Sequence, residues 1–143
     1  RGLCLVAELV PAGLEPLDGG PLRPTGDAVG GRRVLAACAI GEPEAFASQL
    51  RAAGAASVEL VSFGDHHVYD SGDVAAIRGL AGPDALVVTT GKDAVKLRDL
   101  WPADPPACLV ARLEVRLGAD LAVLAGLLEE VTSRLSDPER RGR

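Results

Sequence analysis

From residue 33 onward the chain repeats one pattern, an apolar run of strand length followed by a segment with helical spacing, and that alternation leaves few folds open. "RVLAACAI" (33–40) is a continuous apolar run, and "PEAFASQLRAAG" (43–54) sets Phe46, Leu50 and Ala53 at helical spacing between Pro43 and Gly54. "SVELVSF" (57–63) reads as a second strand, and Val74, Ile77 and Leu80 mark a helix that Asp70 or Ser71 can cap. "DALVVTT" (84–90) gives a third strand, followed by a short helix from "KDAVKL". "ACLVARLEV" (107–115) gives a fourth, and Leu121, Leu124, Leu128, Val131 and Leu135 mark a last helix. Strands separated by helices pair in parallel through right-handed crossovers, because a right-twisted strand feeding a helix packs back onto its sheet that way. The expected class is α/β, a small parallel sheet of about four strands with flanking helices.

The first thirty or so residues follow another rule. "LCLVAEL" (3–9) and "LEPL" (14–17) flank "VPAG", a Pro and Gly turn signal, and so predict a two-stranded hairpin, too small to fold alone. "DGGPLRPTGDAVGG" (18–31) reads as a linker. The expected division is therefore a hairpin with a Gly/Pro-rich interdomain linker over 1–31, an α/β domain over 32–135, and a disordered tail, "SDPERRGR", over 136–143. A length of 143 residues suits a single core, and a chain that opens on Arg1 instead of Met is expected to follow something else.

Composition removes several function classes. The net charge is −5, with no basic stripe and no aromatic ladder, so nucleic acid is not an expected partner. Cys4, Cys38 and Cys108 are odd in number, widely spaced and set in apolar runs, as expected of reduced core thiols in a cytoplasmic protein. No apolar run approaches the roughly 20 residues needed to span a bilayer, so any membrane contact is expected at a surface.

In parallel sheets of this class ligands meet the loops that leave the carboxyl ends of strands. Here those loops are "GEP", "GDHHVYDSGD" and "TTGKD". The second holds both histidines of the chain, His66 and His67, between Asp65 and Tyr69. Histidine can take or give a proton near neutral pH, and an adjacent carboxylate can orient it and raise its basicity. The plainer reading is that one imidazole caps the next helix or stacks on Tyr69 while the other is merely exposed. Neighbouring side chains diverge, so at most one of the two is expected to be reactive. "TTGKDAV" invites a phosphate-loop reading, but that motif needs a glycine where the chain has Leu86 and a Ser or Thr where it has Asp93. Thr90 capping the helix, with Asp93 returning the bond, is the simpler account; Lys92 or Asp93 facing a site is the other. The DHH triplet also resembles manganese phosphoesterases, which need further carboxylates where this chain offers only Glu42.

Taken in order, "AIGEPEAFASQLRAAGA", "FGDHHVY" and "VVTTGKDAVKL" resemble the C-terminal half of tetraacyldisaccharide 4'-kinases, the lipid A kinases of Gram-negative bacteria, in register across about residues 3–135. Ala39 and Glu42 depart from the first family motif, Gly64 from the second, and Gly91 stands where the third has glutamate. The resemblance implies transfer of the ATP γ-phosphate to the 4'-hydroxyl of a tetraacylated glucosamine disaccharide, with ATP and Mg2+ held mainly by an N-terminal phosphate-loop domain that this chain lacks. It implies that the chain alone is inactive and binds no cofactor. It also implies a peripheral location on the cytoplasmic face of the inner membrane, with that N-terminal domain, an acylated disaccharide lipid and the membrane surface as partners. His66 would be catalytic with Asp65 beside it, acting with an aspartate of the other half; His67, Tyr69, Lys92 and Asp93 would shape the acceptor site. A non-catalytic α/β binding domain is the alternative. If the strands at 57–63 and 84–90 are neighbours, His66 is expected to be accessible, close to Lys92, with no carboxylate partner other than Asp65.

Overall fold

The computed structural model describes residues 7–117 together with 125, 126, 128, 129 and 132. These fall into two compact units, one of residues 11–113 and one of residues 1–10 with 114–143. In the smaller unit the described residues continue the first and last strands, and 125, 126, 128, 129 and 132 are helical, with the Thr132 hydroxyl donating to Leu128 O at 2.8 Å. The remainder of the helix expected over Leu121–Leu135, the strand residues before Ala7, Cys4 and the tail lie outside the described residues.

The larger unit is an α/β sandwich. Its elements are β1 (Ala7–Pro16, shared with the smaller unit), α1 (Thr25–Val29), β2 (Arg33–Cys38), α2 (Pro43–Ala52), β3 (Ser57–Ser62), α3 (Ser71–Ala81), β4 (Leu86–Thr90), α4 (Gly91–Leu97) and β5 (Cys108–Leu117, likewise shared). The sheet order is β1-β5-β4-β2-β3, and β3, β2, β4 and β5 are mutually parallel, with Val34 opposite both Val58 and Leu86, and Val88 opposite Leu109. β2 is central and reads as continuous apolar sequence because both of its faces are covered. Leu35 and Ala37 pack with Val87 against Val74 and Ile77 of α3 and Leu97 of α4. Val34 and Ala36 pack with Leu86 against Phe46 and Leu50 of α2 and Val29 of α1.

Two expectations are corrected. The chain does not reverse at Val10–Gly13; Ala7–Pro16 is one strand, at the edge of the sheet, where Pro11 is tolerated. The reversal comes at Pro16–Gly19, after which Leu14 and Arg23 exchange backbone hydrogen bonds of 2.8 Å each. Gly13, at φ 149°, serves this approach: a Cβ there would stand 2.4 Å from Arg23 O. The condition left open for strand order is not met. The strands carrying the histidine and lysine loops, β3 and β4, are not neighbours but flank β2. The segment read wholly as linker also contains α1, with Ala28 and Val29 buried.

Strand order fixes where chemistry can sit. From β2 the chain moves outward to β3 through α2, then returns past β2 to β4 through α3, on the opposite face. The junction between β2 and β4 is thus a topological switch point, and the crevice outside the carboxyl ends of such strands is where open α/β sheets take ligands.

Candidate active site

The loop after β3 divides its two histidines. Gly64 O accepts from His67 N at 3.0 Å, a tight turn that throws His66 into the left-handed region at φ 63°. The His66 ring is 80% exposed, its Nε2 3.5 Å from Asp65 Oδ2, and its Nδ1 makes no hydrogen bond among the described residues. His67 turns the other way. Its ring stacks on Phe63 at 4.6 Å, meets Tyr69 edge-on at 5.1 Å, and sets Nε2 2.7 Å from Asp73 Oδ2. Asp73 also completes the capping box of α3 with Asp70, and Lys96 Nζ donates to His67 O at 2.7 Å. His67 is therefore a fastening between the loop, α3 and α4.

Lys92 reaches the same loop from α4. Its Nζ donates to Asp65 Oδ1 at 2.9 Å, and this bond, with smaller help from His66, holds the Asp65 carboxyl below the usual aspartate range. The loops after β3 and β4 thus meet although β2 separates their strands, because both lean over its carboxyl end. Two other expected site residues point inward: Tyr69 is 5% exposed and Asp93 0%. Asp93 Oδ2 accepts from Ala39 N at 3.0 Å and from the Thr90 hydroxyl at 2.7 Å. Burial first, and then the Asp93 charge, push the Cys38 thiol up to about 11 and raise the Tyr69 phenol further still.

Asp73 and Lys96 escaped the sequence reading, although Asp73, three residues after the capping Asp70, carried the capping-box signal. Arg112 escaped it too. It lies beside Gly91, where an added Cβ would stand 3.5 Å from its Nη1, and its Nε and Nη2 are engaged by Glu15. No three His, Cys, Asp or Glu side chains converge as a metal site among the described residues. No helix among the described residues is long and apolar enough to cross a membrane.

Residues 4–132 match the family model described as tetraacyldisaccharide-1-P 4'-kinase. The chain belongs to the tetraacyldisaccharide-1-P 4'-kinase family. It is 38% identical over 144 residues to the tetraacyldisaccharide 4'-kinase of Methylobacterium nodulans, covering 96% of this chain and 40% of the relative. It is 48% identical over 89 residues to that of Geobacter metallireducens, covering 60% and 26%, and 38% identical over 109 residues to that of Syntrophus aciditrophicus, covering 75% and 29%. The chain thus spans 26–40% of the length of these three kinases. A crystal structure of the Aquifex aeolicus member in complex with ATP shares the fold, with a TM-score of 0.58 at 19% identity over 87% of this chain and 35% of that one.

Proposed function

We propose that this chain is the acceptor-side part of a tetraacyldisaccharide 4'-kinase, and that His66 takes the proton of the 4'-hydroxyl as the γ-phosphoryl of ATP is transferred to it. The observation that carries the reading is the exposed His66 ring beside an Asp65 that Lys92 holds in place. A carboxylate near Nε2 favours the tautomer protonated there and leaves Nδ1 as the basic nitrogen. The hydroxyl proton passes to Nδ1 while the new P–O bond forms and the bond from the γ-phosphorus to the bridging oxygen breaks, releasing ADP. The imidazolium so formed is stabilised by Asp65. Such transfers are mostly positioning and charge stabilisation, so one proton acceptor accounts for only part of the rate.

ATP and Mg2+ are bound outside these residues, by a nucleotide-binding part of the same protein. Lys92 is already engaged by Asp65, and no glycine-rich nest opens beside it. The chain alone is inactive on this reading. The acceptor is an acylated disaccharide met at a membrane surface, the cytoplasmic face of the inner membrane.

In a full-length kinase carrying this segment, His66→Ala is expected to lower turnover about 10²-fold, and His67→Ala far less. Equal losses at the two positions, or none at His66, would sink the assignment.

A further inference from the structure

The first turn of α4 has the spacing of a capping box, Thr90 followed three residues later by an acid, but only half the box is made. Asp93 N donates to Thr90 Oγ1 at 3.2 Å; the carboxylate does not return to the Thr90 backbone as Asp73 does to Asp70 at α3. It goes instead to Ala39 N, the first amide beyond β2, and to the Thr90 hydroxyl. That bond crosses the switch point between β2 and β4. Oδ1, the other carboxylate oxygen, is buried with no hydrogen-bond partner, and so is the Tyr69 hydroxyl. Burial first, and then the Asp93 charge, raise the Tyr69 phenol. Tyr69 in turn carries the edge of His67 in the loop that presents His66. A local helix cap needs no carboxylate at 0% exposure, and burying one is costly unless it holds something together.

We propose that Asp93 is a positioning residue, whose buried carboxylate fastens the loop after β2 to the first turn of α4 and so sets where Lys92 stands and, through its bond to Asp65, where the His66 loop stands. Its bearing on phosphoryl transfer rests on the reading of His66 given above; the fastening itself does not. The test is nuclear magnetic resonance on this chain. Asp93→Ala should speed exchange of the Ala39 amide at least tenfold and shift the His66 ring and Asp65 amide signals. Asp93→Asn, which keeps an acceptor for Ala39 and Thr90, should restore both. Effects confined to α4 would reduce Asp93 to a local cap and overturn the proposal. Should Asp93→Ala fail to fold, Thr90→Val, which removes the hydroxyl bonded to Asp93, carries the test. Loss of that hydroxyl should then move the Ala39 and Lys92 signals, and unchanged signals there overturn the proposal. In the full-length kinase, Asp93→Ala should lower kcat about tenfold at constant KM for ATP, with Asn restoring most of it, as expected of lost positioning. If His66→Ala leaves turnover intact while the spectra respond as stated, the functional reading falls and the fastening stands.

Discussion

His66 stands at φ 63°, a conformation that costs histidine and not glycine. His66→Gly is therefore expected to leave the melting temperature unchanged or raise it while removing the imidazole. His67→Ala is the reverse case, since it strips a ring stack and a 2.7 Å bond to Asp73. It should cost about 1–2 kcal/mol, with each kcal/mol worth roughly 4–8 °C in a unit of this size. Thermal melts decide the matter: a His66→Gly protein melting well below the parent, or a His67→Ala protein melting with it, would refute the division of roles. Asp65 offers a pH test. Its folded pKa is depressed by Lys92, so the stabilisation is complete above the ordinary value of 3.8 and is lost as pH falls through the lower folded value. A carboxyl carbon titration should place the Asp65 midpoint below 3.8, and Lys92→Ala should move it back up. A midpoint at or above 3.8 in the parent would mean that the tie is not kept in solution. The loop stood out as a candidate by residue types alone, and the divergence of its histidines was readable from the alternation of neighbouring side chains. The left-handed turn was not readable, because it depends on Gly64 and His67 closing a hydrogen bond.

At the level of elements, α4 opens on a residue poor at starting helices. Gly91 costs about 0.5–1 kcal/mol relative to alanine, and a Cβ there meets only the Arg112 guanidinium and Ala111 O at ordinary contact distance. A carboxylate in the first turn also suits the helix dipole. Gly91→Glu is thus expected to stabilise the chain by about 1 kcal/mol, by placing a second acid near Arg112 Nη1. Urea denaturation reads this directly, and a lowered midpoint would show that the bare Cα is required. The parallel strands and long helices were visible in the sequence because their apolar spacing is strong. β1 was misread because glycine and proline mark both turns and close backbone approaches, and only the partner, Arg23 O, distinguishes the two. The diversion of Asp93 to Ala39 was hidden for a related reason: fifty-four residues separate donor from acceptor.

For the whole molecule, the sheet delivers one wall of polar groups at its carboxyl edge and nothing that cradles phosphate among the described residues. Lys92, the sole lysine next to a glycine at a strand end, is spoken for by Asp65. Calorimetry on this chain is accordingly expected to find no ATP binding at micromolar concentrations; a micromolar dissociation constant would contradict it. The central place of β2 also bears on synthesis. β2 can pair with β3 as soon as both have left the ribosome, since only α2 intervenes. β4 emerges later and adds to the other side of β2. In the interval the nascent chain carries an aliphatic strand with unpaired amides and carbonyls along one side, open to a second copy on the same message. Until β4 closes that side, the bare edge of β2 is where this sheet is most open to pairing with another chain.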